Sequence, residues 1–189
     1  MNKKISGFVL VMVIFALTAV CWAEVSPPQV GSAFPDIELS TPANPAELKY
    51  LGLSGSGFFK VNQIKSDVVI IEIFSMYCPY CQGEAPNVNS LYAAIENNPA
   101  YRNKIKIIGI GINNSLFETN IFKKKYNVQF PLIPDGDFKL HKIMGEVRTP
   151  YFIAVKLKGG KSDVIYSKLG AIGDPKVFLE QIVKLSGLK

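Results

Sequence analysis

The stretch Val68-Val69-Ile70-Ile71-Glu72-Ile73-Phe74-Ser75-Met76-Tyr77-Cys78-Pro79-Tyr80-Cys81 carries the fold in its pattern. Val68 to Phe74 is a short, β-branched apolar run, the signature of a strand buried on both faces. From Gln82 to about Asn97 the apolar residues Val88, Leu91, Tyr92 and Ile95 recur at helical spacing. A strand, two cysteines and a helix therefore follow one another. Residues three apart on a helical turn have Cβ atoms about 5–6 Å apart. A disulfide needs Cα atoms about 4.4–6.8 Å apart, so such a pair can open and close with little backbone movement. Pro79 suits the first helical position, where a missing N–H costs nothing. Cys78 then sits at the positive end of the helix, which favours the nucleophilic thiolate. Cys81, one turn in, is expected to be buried and to resolve a mixed disulfide.

The pattern extends outward on both sides. Ile105 to Ile112 reads as a second buried strand. Ser115 caps a helix running to Tyr126, and Asp135 caps a short one reaching Met144. Tyr151 to Lys156 and Val164 to Leu169 read as strands around Gly159-Gly160. Asp174-Pro175 opens the last helix, with Asp as cap and Pro at its first position. The region Glu24 to Gly57, rich in Pro, Gly and Ser, reads as an extended arm with a short strand near Ile37–Leu39. The order βαβα then ββα implies an α/β domain with a mixed central sheet flanked by helices. There is no repeat and no second domain.

Length and composition agree with one domain: 189 residues, 48% hydrophobic and 19% charged. The formal charge of +6 is mild and scattered. Its densest run, Lys123-Lys124-Lys125, lacks interleaved aromatics, so no nucleic-acid partner is expected. Lys3 and Lys4 precede an apolar run from Ile5 to Val20, and Ala23 offers a small-residue cleavage site. Residues 1–23 thus read as a signal peptide, 24–57 as an arm belonging to the domain, and 58–189 as its core. Export to the periplasm or beyond follows, with an uncleaved anchor as the alternative. A lipid on Cys21 would need a better motif than Thr18-Ala19-Val20. Cleavage would leave 166 residues with Cys78 and Cys81 as the sole cysteines, and would remove the sole tryptophan, Trp22. Zinc needs two ligands beyond the pair, and only His141 remains, so no metal and no other cofactor is expected.

Around its cysteines the chain resembles the thioredoxin superfamily, and more narrowly the exported TlpA/ResA-type thiol–disulfide oxidoreductases. Phe74 to Cys81 is similar to their active-site stretch. Pro86 stands where thioredoxins have the proline that kinks the active-site helix. Arg148-Thr149-Pro150-Tyr151-Phe152 resembles their cis-proline segment, and Gly31 to Asp36 their opening arm. Ile112 to Ile133 fits a strand–helix insert of that branch. The resemblance implies a thioredoxin-like fold and a cis Thr149-Pro150 bond packed beside the sulfurs. There Thr149 would pair with an extended substrate, and Tyr77, Pro79 and Tyr80 would frame the groove. It also implies a buried acid, Glu72, relaying the proton of Cys81, and a second acid, Glu84, tuning the site. Each acid also has a plainer reading: Glu72 as an edge-strand residue reaching solvent or a lysine, Glu84 as a first-turn acid favoured by the helix dipole. His141 reads as a solvated helix residue.

The function expected is reduction of protein disulfides through a redox-active Cys78–Cys81 pair, with protein thiols or disulfides as substrate. A membrane electron-donor protein would supply the electrons. Two alternatives stay open. A peroxiredoxin-type thiol peroxidase finds Ser75 and Arg148 in place, but Ile71 where its proline belongs. A Sco-like copper-delivery protein could use His141, though its cysteines stand one residue further apart.

Overall fold

The computed structural model describes residues 26–188. The signal segment, Cys21 and Trp22 lie outside the described residues.

Strand β3 (Val68–Phe74) is buried along all seven residues and lies at the centre of a five-stranded sheet. Helix α2 (Pro79–Glu96) follows it, then β4 (Ile105–Ile112), α3 (Leu116–Lys125), β5 (Leu132–Asp135), α4 (Lys139–Ile143), β6 (Tyr151–Lys158), β7 (Lys161–Leu169) and α5 (Pro175–Ser186). The sheet order is β5-β4-β3-β6-β7. β3, β4 and β5 are parallel; β6 runs antiparallel to them, and β7, antiparallel to β6, again runs in the direction of β3. A strand between two neighbours has no solvent face. Its side chains alternate into two cores: Val69, Ile71 and Ile73 pack with the arm, while Val68, Ile70 and Phe74 pack with α2 and α5. Glu72 falls on the α2 side by the same alternation. It pairs in register with Gly109 and Phe152. An edge-strand position reaching solvent is thereby ruled out.

The arm is more structured than its composition suggests. It forms β1 (Leu39–Ser40), one residue later than expected, then helix α1 (Pro45–Leu51) and β2 (Phe58–Phe59), which pairs with β1. Asn44 caps α1 by accepting the Ala46 amide, and Gly52 ends it in the left-handed conformation. Phe34, Leu39 and Leu51 join Ile71 and Ile73 in one core.

Helix α2 begins at Pro79, the first helical position expected for it, with Cys78 as its N-cap and Pro86 inside it. Ser115 and Glu118 close a capping box on α3. Asp135 does not start a helix. It ends β5, and its carboxylate reaches over to accept the Leu140 amide (3.0 Å) and the His141 amide (2.8 Å). Helix α4 is correspondingly short. β6 and β7 outrun the expected strands because Gly159 and Gly160, both at positive φ, turn the chain tightly enough to pair Lys158 with Lys161.

Candidate active site

The loop leaving β3 is tethered on each side. Buried Asn114, just past β4, accepts the Met76 amide on its Oδ1 (2.8 Å) and donates to the Asn113 carbonyl (2.9 Å). Gln82 donates to the Met76 carbonyl at 2.8 Å. Both backbone groups of the residue two before Cys78 are therefore committed. Tyr77 donates its hydroxyl to Glu118, the partner of Ser115 in the capping box of α3. That bond raises the Tyr77 pKa, and with the Ser115 bonds it brings Glu118 down to about 2. The sequence reading passed over Asn114 and Glu118. The available signal was Asn113-Asn114, placed where β4 ends beside the end of β3.

Both cysteines are free thiols, Cys78 half-buried and Cys81 buried. The Cys78 thiol donates to the Thr149 carbonyl at 3.4 Å. Partial burial works against its thiolate. The Thr149 side chain, the Cys81 amide and thiol, and the Tyr80 amide outweigh it, so the Cys78 pKa is lowered. No α2 amide makes a capping bond of regular geometry to the sulfur. The amides instead act as nearby positive dipoles. Burial drives the Cys81 pKa up, and the charge of Glu72 adds to that rise. Thr149–Pro150 is a cis peptide bond, and Pro150 is buried.

Two carboxyl groups lie behind the sulfurs. Glu72 is 3% exposed and its Oε1 has no hydrogen-bond partner among the described residues. Burial, reinforced by the charge of Glu84, pushes its pKa up to about 8. Glu84 is 4% exposed and lies beyond the first turn of α2, so the first-turn reading fails. Its Oε1 accepts the Ile172 amide (2.8 Å) and its Oε2 the Asn87 side-chain amide (3.2 Å). Glu84 thus joins α2 to the loop between β7 and α5.

A cleft of about 580 Å³ runs between Pro79–Tyr80 and Arg148–Thr149–Pro150, with Leu169 on its far wall. Tyr80 is 79% exposed on its rim, and Tyr77 is 59% exposed. His141 is not a solvated residue. It is half-buried on α4, and its Nε2 lies 2.9 Å from the Val147 carbonyl. A carbonyl only accepts, so Nε2 carries the proton. Among the described residues no three His, Cys, Asp or Glu side chains cluster to hold a metal ion, and no helix is long and apolar enough to cross a membrane.

The shape of the chain is similar to solved thioredoxin-like proteins. One is a candidate thiol:disulfide interchange protein DsbE from Chlorobium tepidum, with 15% identity, a TM-score of 0.64, and coverage of 85% of this chain and 99% of that one. Another is StoA from Bacillus subtilis, with 20% identity, a TM-score of 0.53, and coverage of 82% and 98%. A third is a secreted Mycobacterium tuberculosis disulfide oxidoreductase, with 17% identity, a TM-score of 0.55, and coverage of 79% and 96%. At these identities the likeness is one of fold. No curated protein matches the sequence. The family comparison reaches further: residues 30–172, running from the arm past the last strand of the main sheet, match the model of the AhpC/TSA family, and the chain belongs to that family.

Proposed function

We propose that the protein is an exported thiol–disulfide oxidoreductase that reduces protein disulfides with the Cys78–Cys81 dithiol. The observation that carries this reading is the asymmetry of the pair. Cys78 is accessible and its thiolate is favoured, while Cys81 is buried and held as a thiol. The Cys78 thiolate attacks a substrate disulfide, forming a Cys78 mixed disulfide and expelling one substrate thiolate. Cys81 then loses its proton and attacks Cys78, expelling the second substrate thiolate and leaving the Cys78–Cys81 disulfide. Two electrons pass from the dithiol to the substrate. Glu72, protonated near neutrality and electrostatically coupled to Cys81, is suited to take up that proton once ionised. Glu84 fixes α2 against the Ile172 loop. A membrane electron-donor protein would restore the dithiol.

The domain organisation proposed is a signal peptide over 1–23, an arm over 24–57 and a core over 58–189. Intact mass of the exported product tests it, since cleavage after Ala23 gives a chain starting at Glu24. The catalytic reading is tested by insulin reduction and by the potential of the Cys78–Cys81 couple. A couple as reducing as thioredoxin, about −270 mV, supports a reductase, whereas one near −120 mV would make the protein an oxidant.

Membership in the AhpC/TSA family favours a second reading, a thiol peroxidase. There Cys78 would attack a hydroperoxide to give a sulfenic acid and an alcohol. Cys81 would then condense with the sulfenic acid, releasing water. Hydroperoxide turnover faster than disulfide turnover would select this reading.

A further inference from the structure

Resting on the oxidoreductase reading, we propose that Arg148 makes the cleft beside Cys78 selective for substrate segments with an acidic residue next to the reacting cysteine. The Thr149 carbonyl lies 3.4 Å from the Cys78 sulfur. A substrate cysteine joined to Cys78 must therefore lie over the Thr149 main chain. Its sequence neighbours are then carried towards Arg148 on one side and Pro150 on the other. The cleft there is largely apolar, walled by Pro79, Tyr80, Pro150 and Leu169. Besides the Tyr80 phenol, it holds one basic and one acidic side chain, Arg148 and Glu84. Glu84 is unavailable to a ligand, being buried with both oxygens occupied by Ile172 and Asn87. Arg148 is exposed, and no hydrogen bond, ion pair or ring contact engages its guanidinium among the described residues.

The available charge in the cleft is therefore a single cation, placed one residue before the peptide that faces the sulfur. A guanidinium with five donors is suited to a carboxylate, which it can grip through two parallel bonds. The amino end of the 18-residue helix α2 adds positive potential at Cys78. The thiolate opposes an incoming acid before attack. Once the mixed disulfide has formed, that negative charge is gone and the attraction to Arg148 is unopposed. The occupant is an extended protein segment with an acid within two residues of its cysteine. A cleft of about 580 Å³ has room for several residues rather than for one side chain.

The test uses three matched pentapeptides whose central cysteine carries a mixed disulfide to 2-nitro-5-thiobenzoate and is flanked by Glu, Gln or Lys. In a single turnover, the reduced protein attacks the peptide sulfur and releases the coloured thiolate. Rates are divided by those of β-mercaptoethanol with the same peptides, which removes intrinsic differences in reactivity. The Glu peptide should react about 3–5-fold faster than the Lys peptide at low salt, the range of an exposed charge pair. Salt at 0.5 M should collapse that ratio. Arg148→Ala should bring it to about 1, Arg148→Glu should invert it, and Arg148→Lys should retain part of it. A ratio within 1.5-fold in the unmodified protein, or one that survives in Arg148→Ala, overturns the proposal while leaving the oxidoreductase reading intact. Failure of all three peptides to react overturns both.

Discussion

Replacing Glu72 by glutamine should stabilise the reduced protein by an amount that grows with pH. In the folded chain Glu72 titrates at about 8 against an ordinary 4.5, because it is buried without a partner for Oε1 and faces the charge of Glu84. Between those two values the folded protein holds a proton that the unfolded chain has released. Raising the pH through this window therefore favours unfolding. The destabilisation is absent below about 4.5 and complete above about 8. Each pH unit is worth about 1.4 kcal/mol, so the whole window approaches 5 kcal/mol as an order of magnitude. Glutamine cannot ionise, so Glu72→Gln lacks this loss. The variant also brings an amide into a site with an unpartnered oxygen, which shifts its stability by a constant independent of pH. The slope of the stability difference is therefore what matters. Denaturant titrations under reducing conditions at pH 5, 6, 7, 8 and 9 measure it, provided the m-values agree between the two proteins. The difference should widen in favour of the variant by about 1 kcal/mol per unit up to pH 7 and flatten beyond 8. Cys78 and Cys81 titrate in both proteins and largely cancel. A difference constant to within about 0.5 kcal/mol from pH 5 to 8 would refute the reasoning, since Glu72 would then ionise alike in both states. Glu84→Gln should lower the upper end of the window, because the charge that helps hold the Glu72 proton is gone.

Alkylation of the reduced protein should begin at Cys78 and rise with pH below the ordinary thiol range, with Cys81 protected until unfolding; early labelling of Cys81 would reverse the assigned roles. Cys78→Ser should abolish insulin reduction, while Cys81→Ser should accumulate mixed disulfides that survive non-reducing gels. Glu72→Gln should slow release of those mixed disulfides more than their formation, and equal effects on both steps would leave Glu72 without a part in proton transfer. Asn114→Ala should cost about 1–3 kcal/mol, because it strands the Met76 amide, and should broaden the pH profile of Cys78 labelling as the loop loosens. Purified exported protein should show no tryptophan emission, since Trp22 is the single tryptophan and precedes the proposed cleavage site.

β3 and β4 fall at the expected residues because both are dense in Val and Ile, β3 broken by Glu72 and β4 by Lys106, Gly109 and Gly111, as suits strands covered on both faces. α3 and α5 were legible through their caps, Ser115 in the first and Asp174 with Pro175 in the second. β5 was missed because it is four residues long and contains Pro134; it pairs on one side only, with β4. α1 was missed because seven residues hold too few turns to display a period, and its buried residue is Leu51 alone. Asp135 looked like a cap and is one, but its side chain acts across a turn from the end of a strand. Local pattern names the residue type that such a bond needs and leaves the partner open.

The two buried glutamates sharpen this limit. Both lie near the cysteines, and their spacings, six before Cys78 and three after Cys81, say nothing about which holds a mobile proton. That difference arises in tertiary structure. Glu84 finds an amide 88 residues away at Ile172, together with its helix neighbour Asn87, so that each of its oxygens has a partner. Glu72 lies in the middle strand, where every main-chain amide is already engaged by β4 or β6 and no side chain reaches its Oε1. One carboxyl group therefore fastens a helix to a loop. The other keeps its proton near neutral pH, on the face of the sheet that carries Cys81. Two residues of one chemistry are thus set to different tasks by what surrounds them: Glu84 ties α2 to the Ile172 loop through both oxygens, while burial leaves Glu72 the group suited to proton transfer.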